Sequence, residues 1–390
     1  MINQTAYGLG SNRSCIRELF EYGRGRAAVV GPENVFDYSL GNPSIPAPAQ
    51  VEQAIRDILA DTPSLAIHGY TSAVGDLATR QAIADDLNAR YEAGVGPEDL
   101  FIGCGAAPEL VSVFRALAVP GAEILAVAPY FPEYKPFVEC AGATFKVVPP
   151  DVPGFQIKLE AVAEMITENT VAIILNSPNN PAGTVYTRKT LEELAALLTE
   201  KSAAYGHPIY IVADEPYREL VYGGVEVPFI PNIYPNTVVC YSYSKSLSLP
   251  GERIGYVYVP KQAQDSGELY AAIAGAARAA GHVCAPSLLQ KVVARCATLR
   301  PDLESYDRNR RTLYEGLVAL GYEVAKPDGA FYLFVKAPGG DANAFSEKAK
   351  QKDLLVVPGD GFGCPGYFRV CYCVSYDMIV RSLPVFGELI

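Results

Sequence analysis

Between residues 100 and 259, short apolar runs rich in β-branched residues alternate with longer amphipathic runs. The short runs predict strands at 100–104, 123–128, 144–148, 171–176, 209–213, 237–241 and 254–259. The longer ones predict helices, among them 108–117, 159–166, 190–205 and 262–278. Several of the strands lack polar alternation, as expected when both sheet faces are covered. Such alternation predicts an α/β fold with a mostly parallel central sheet in a three-layer α/β/α large domain. Beyond Pro301 the pattern changes to a long helical stretch reaching Leu320, then short strands at 331–335, 354–357 and 368–373. This reads as a smaller α+β domain hung on a connecting helix. The first forty or so residues carry few helix or strand signals. The expected division is 44–299 for the large domain, with 1–43 and 300–390 forming the small one from both chain ends.

At 390 residues and 49% hydrophobic composition, the chain has ample material for packed cores. Its net charge of −11, with no Lys/Arg cluster, argues against nucleic acid as a partner. The nine Cys are odd in number, scattered and without a CxxC pair, so they read as reduced thiols of the cytoplasm. Cys371 and Cys373 share one strand face, but no second pair with zinc-like spacing joins them, so no metal is expected. The three His, at 68, 207 and 282, stand in unrelated contexts. The N-terminus lacks the charged and apolar regions of a signal peptide, and no apolar stretch approaches the ~20 residues of a membrane span.

The candidate chemistry gathers after the predicted strands. Lys245 lies in Tyr241-Ser-Tyr-Ser-Lys245-Ser-Leu-Ser-Leu-Pro-Gly-Glu-Arg253, a lone lysine among hydroxyls. A lysine forms imines with carbonyl cofactors, and a nearby cation such as Arg253 lowers its pKa. Ser242 and Arg253 can hold a phosphate; the bland alternative is a polar loop. Asp214-Glu-Pro-Tyr217 puts a carboxylate at the C-terminal end of a buried strand, where it should face a cation such as a protonated pyridine nitrogen; a helix-capping Asp is the rival. Asn180, in Asn176-Ser-Pro-Asn-Asn180-Pro-Ala-Gly183, belongs to a turn made rigid by prolines. Gly103-Cys-Gly105-Ala106-Ala107 joins a strand to a helix through small residues, which lets helix N-terminal amides approach a phosphate.

In combination these segments resemble the class I/II aminotransferases, the aspartate-aminotransferase-like enzymes that use pyridoxal phosphate (PLP). The order NPxG, DEPY, SxSK and then Arg253 carries the likeness, which spans nearly the whole chain. The resemblance implies that Lys245 binds the cofactor as a Schiff base and that Asp214 pairs with the pyridine nitrogen. Tyr217 and Asn180 would bond the ring oxygen. Gly105, Ala106, Ala107, Ser242 and Arg253 would bind the phosphate, while Phe131, with Tyr130 as a competitor, would stack on the ring. Arg369 would clamp the substrate α-carboxylate, with a structural salt bridge as its rival, and Gly41 would close over that carboxylate. Tyr70 would reach the phosphate of a neighbouring subunit, making the active unit a homodimer.

The implied activity moves an amino group between an α-amino acid and a 2-oxo acid by a ping-pong mechanism. A PLP-dependent carbon–sulfur β-lyase on the same fold stays open, as does a non-catalytic PLP-sensing domain. A nicotinamide-dependent dehydrogenase lacks its GxGxxG fingerprint. No motif marks a second cation for a substrate side chain; Arg24 and Arg278 are candidates only by default.

Overall fold

The computed structural model describes residues 1–12 and 14–390. Its strands are β1 (Phe36–Asp37), β2 (Leu100–Gly103), β3 (Glu123–Val127), β4 (Thr144–Val148), β5 (Thr170–Asn176), β6 (Tyr210–Asp214), β7 (Thr237–Ser242), β8 (Gly255–Tyr258), β9 (Tyr332–Lys336), β10 (Leu354–Leu355), β11 (Val357–Pro358) and β12 (Tyr367–Cys371). The helices that matter below are α1 (Gln4–Ser11), α2 (Cys15–Val30), α3 (Ala49–Asp61), α4 (Leu77–Tyr91), α5 (Ala106–Leu117), α6 (Tyr134–Ala141), α7 (Tyr243–Ser246), α8 (Ser266–Ala279), α9 (Ser287–Cys296) and α10 (Leu303–Ala319).

The large sheet runs β2-β8-β7-β6-β5-β3-β4 and is parallel except for β8, which is antiparallel to both of its neighbours. Every residue of β6 and β7 is buried, which explains the apolar run in the middle of each. Alternate side chains enter opposite cores: Ile173 and Ile211 pack with Leu87 and Val292 of α4 and α9. Ile174 and Val212 pack with Phe114 and Ile273 of α5 and α8 on the other face. Helices therefore cover both sides of a mostly parallel sheet, giving three α/β/α layers.

A separate three-stranded antiparallel sheet, β11-β12-β9, packs with α10 around Tyr38, Leu313, Phe345 and Phe368. Where one strand is expected over 354–357 there are two, because the chain changes partners at Val356. Leu354–Leu355 pairs in parallel with Phe36–Asp37, whereas Val357–Pro358 pairs with β12. The first forty residues also depart from expectation, since they form α1 and α2. In α2 only Leu19 and Gly23 are buried, so its apolar periodicity is faint. The helix is fixed by its Ser14 cap, which accepts from the Arg17 amide, and by Leu19 packing with Leu355 and Phe362.

Among the described residues, no helix is long and apolar enough to cross a membrane. All nine cysteines are free. Cys371 and Cys373 are buried with their sulfurs 3.1 Å apart. No group of three or more His, Cys, Asp or Glu side chains is placed to hold a metal among the described residues.

Candidate active site

The C-terminal ends of β2, β3, β5, β6 and β7 open on one edge of the large sheet, where open α/β sheets bind ligands. A cavity of about 260 Å³ lies there. All the site residues singled out from the sequence line it, except Gly105 and Tyr70. Residues from both ends of the chain complete it: Gly41 follows β1, and Arg369 sits inside β12.

Lys245 stands on α7, a single turn continuing from β7. The Ser242 hydroxyl caps that turn by accepting from the Ser244 amide at 3.2 Å, which fixes the direction of the lysine. Lys245 Nζ donates to the Gly41 carbonyl at 2.8 Å. Burial pulls the Lys245 pKa below its ordinary value against the opposing effect of Cys373 and Cys371, and Arg253 and Arg369 add smaller contributions to the fall. The shift is in the direction that frees the amine as a nucleophile.

Helix α5 begins at Ala106, directly after Gly105. Gly105 has φ +93°, and a Cβ there would lie 2.9 Å from an Arg253 guanidinium nitrogen. Only glycine lets this turn and the guanidinium approach so closely. Gly105 thus shapes the turn behind the cavity, while Ala106 and Ala107 line it. The helix N-terminus, Arg253 and Ser242 together form a cradle suited to a phosphate.

Asp214 ends β6 with its carboxylate buried. The cation expected opposite it is not supplied by a side chain. Instead Tyr134 donates to Oδ2 at 2.5 Å, and Oδ1 has no partner among the described residues. Burial pushes the Asp214 pKa up to about 7, with the Tyr134 hydrogen bond opposing and the charge of Glu215 adding to the rise. An unpartnered buried oxygen of this kind fits a protonated ring nitrogen, so Asp214 is more than a helix cap. Behind it Glu109, also buried, is pushed well above the usual carboxylate range by burial and by Asp214.

Arg369 is only 2% exposed, and no carboxylate lies within ion-pair distance of it among the described residues. The rival reading as a structural salt bridge therefore fails. Its Nη1 donates to Asn180 Oδ1 at 2.9 Å and its Nη2 to the Ser39 carbonyl at 2.6 Å; Nε is buried without a partner among the described residues. Because Arg369 holds the oxygen of the Asn180 amide, the amide nitrogen is left to donate. The Tyr217 hydroxyl is 2.7 Å from that of Tyr332.

Of the two candidate stacking aromatics, Phe131 lines the cavity, whereas Tyr130 packs edge-on against Phe145. Tyr70 is 99% exposed and lies outside this cavity. Arg24 and Arg278 are exposed and do not line it. Sequence reasoning passed over Tyr134, Tyr332, Glu109 and Ile16, the last of which reaches the cavity from α2. Tyr134 is the one with a usable signal, since it closes the aromatic-rich segment Pro129-Tyr-Phe-Pro-Glu-Tyr134 that also holds Phe131.

The turn after Asp214 is braced from below. Arg218 is buried, ion-paired with Glu215, bonded to the Tyr256 hydroxyl at 3.0 Å and stacked 4.8 Å over the Tyr241 ring. Tyr241 in turn bonds Glu219 at 2.7 Å and lies 2.8 Å from the Ser246 hydroxyl beside Lys245. Arg218→Met is expected to cost ~3–5 kcal/mol, since it strands Glu215 as a buried charge. Denaturant unfolding should recover most of that loss in the double variant Glu215→Gln/Arg218→Met; no loss in the single variant would refute the bracing role.

Pyridoxal phosphate fits these residues. It carries a phosphate for the cradle, a ring nitrogen for the free oxygen of Asp214 and a carbonyl for the amine of Lys245. Residues 33–382 match the family described as "Aminotransferase class I and II". An aspartate/prephenate aminotransferase of Thermus thermophilus is 30% identical over 363 residues, covering 90% of each chain. An aspartate aminotransferase of Thermotoga maritima is 28% identical over 366 residues, covering 92% of each. Among solved structures, an amino transferase from Eubacterium rectale superposes with a TM-score of 0.98 at 55% identity, covering 100% of this chain and 98% of that one. The T. thermophilus aspartate aminotransferase with maleate gives 0.86 at 26% identity, covering 100% of both. Since the family match takes in both sheets and every strand end that opens on the cavity, the chain belongs to the class I and II aminotransferases, enzymes that work with pyridoxal phosphate.

Proposed function

We propose that this enzyme moves an amino group between an α-amino acid and a 2-oxo acid in two half-reactions of a ping-pong cycle, with Lys245 as covalent anchor and proton carrier. The observation that carries the reading is Arg369: a buried guanidinium that no carboxylate among the described residues balances, facing the same cavity as the Lys245 amine. A substrate α-carboxylate supplies the missing charge.

Pyridoxal phosphate, when bound, supplies an electrophilic carbonyl and a ring that takes up the electron pair released at the substrate Cα. Arg369 orients the substrate through its carboxylate. The Lys245 amine, whose pKa burial lowers, would take the proton from Cα and return it at the other end of the reacting system. Asp214, held by Tyr134, would keep the ring nitrogen protonated. Asn180 and Tyr217 would donate to the ring oxygen, and Phe131 would pack against the ring. Ala106, Ala107, Ser242 and Arg253 would hold the phosphate.

On this reading the chain divides into a large domain, 44–299, and a small one, 1–43 with 300–390. Gly41 and Arg369 then approach Lys245 from the second unit. The exposed Tyr70 reaches the phosphate of a neighbouring copy, so the working form is a cytoplasmic homodimer. Sedimentation of the active enzyme should give twice the chain mass; full activity in a monomer would remove this assignment.

Relatives bear names that span aspartate, prephenate, N-acetyl-LL-diaminopimelate and aromatic amino acids. Lys245, Arg253 and Arg369 are the only basic side chains lining the cavity among the described residues. All three have roles, so a side-chain carboxylate would need a cation from the neighbouring subunit. An amino-donor panel followed by absorbance tests the function. Donors should convert the bound cofactor to its aminated form without net turnover until a 2-oxo acid is added. Release of ammonia and a keto acid from a cystathionine-like donor, with no acceptor present, would point instead to the β-lyase.

A further inference from the structure

Tyr332, the first residue of β9, is 2% exposed and lines the cavity from the small sheet. Three parts of the site meet on it. Its hydroxyl is 2.7 Å from that of Tyr217. The Arg369 guanidinium carbon lies 4.8 Å from its ring centroid. Gly41, whose carbonyl holds Lys245, packs so tightly against it that a Cβ on Gly41 would come within 2.2 Å of the Tyr332 hydroxyl oxygen.

Each hydroxyl of a tyrosine pair has one proton to give. If Tyr217 gives its own to the cofactor's ring oxygen, the bond between the two tyrosines must be donated by Tyr332. We propose that Tyr332 is a positioning residue whose hydroxyl donates to Tyr217 and thereby commits the Tyr217 proton to the ring oxygen; this rests on the reading of Tyr217 given above. Chained hydrogen bonds polarise one another, so Tyr217 becomes a stronger donor with Tyr332 behind it. Burial keeps the Tyr332 hydroxyl protonated by raising its pKa far above the ordinary value. The ring of Tyr332 also supports Arg369, which lies over its face in a cation–π contact.

The hydroxyl and the ring separate by substitution. A strong donor to the ring oxygen of the cofactor stabilises negative charge there, which loosens the proton that this oxygen shares with the lysine nitrogen. Tyr332→Phe removes the donor but keeps the aromatic ring. It should raise the midpoint of the pH-dependent absorbance change of the bound cofactor by about half a unit, and lower kcat with little change in KM. Tyr332→Leu removes the aromatic ring as well and should raise KM for the amino acid.

A double-mutant cycle with Tyr217→Phe decides the route. In that background, adding Tyr332→Phe should move the midpoint no further; an equal shift in both backgrounds overturns the inference. A shift with Tyr217→Phe but none with Tyr332→Phe also overturns it, while sparing the role of Tyr217. No shift with either variant refutes the role of Tyr217 itself. Should Tyr332→Phe fail to fold, the double variant still serves, since it leaves neither hydroxyl unpaired. Its midpoint must then equal that of Tyr217→Phe.

Discussion

Lys245→Ala is expected to lower turnover by ~10⁴-fold or more, because one substitution removes both the covalent anchor and the proton carrier. The neighbours argue for so large an effect. No other amine lines the cavity among the described residues. The phosphate cradle and Asp214 survive the change, so the variant should still bind the cofactor, though without a covalent link. Borohydride reduction followed by mass spectrometry checks this directly. The wild-type enzyme should gain the mass of the reduced cofactor on the peptide containing Lys245, and the variant should gain none. Covalent capture at any other lysine, or turnover near the wild-type rate, would overturn the assignment.

Asp214→Asn has opposite effects on activity and on the stability of the cofactor-free chain. For activity, the variant leaves a buried ring cation without its counter-charge. Breaking such a pair costs ~3–5 kcal/mol, so turnover should fall roughly 10³-fold.

For stability the sign follows from proton counts. The Asp214 pKa is about 7 in the fold against 3.8 for a free carboxyl, so between these values the folded chain holds a proton that the unfolded chain has released. Stability therefore falls as pH rises through that window and stays low above it, by about 4 kcal/mol in all for this one group. Asparagine does not titrate, and its oxygen can still accept from Tyr134. Cofactor-free Asp214→Asn should therefore be the more stable protein at about pH 8, with the difference shrinking toward about pH 4. Denaturant unfolding at several pH values measures it. Parallel stability curves for the two proteins would mean that Asp214 does not carry this cost and that its free oxygen awaits no cation.

The large sheet and much of the cavity were legible in the sequence because their signals are local. Strands buried on both faces must be apolar throughout, and the turns beyond them need small or rigid residues whatever the rest of the chain does. Gly105 and Asn180 announce turns, and Lys245 and Asp214 stand out as polar groups placed just where apolar strands end. The N-terminal helices were not legible. With only Leu19 and Gly23 buried, α2 writes almost no pattern, and what holds it is the sheet edge near Leu355.

Which residues complete the site was a matter for the tertiary structure alone. Tyr134 meets Asp214 across 80 residues, Tyr217 meets Tyr332 across 115, and Asn180 meets Arg369 across 189. No short-range pattern encodes a hydrogen bond over such separations. The same holds for what is missing: the free oxygen of Asp214 and the unbalanced charge of Arg369 appear only once every possible partner has a position. By itself the sequence determined the sheet, the order of the motifs and the reactive lysine, because periodicity and turn chemistry are written residue by residue. Only the approach of β9 and β12 to the loops that follow β5 and β6 decided which of its polar groups are satisfied within the chain, and which are left for a cofactor and a substrate to satisfy.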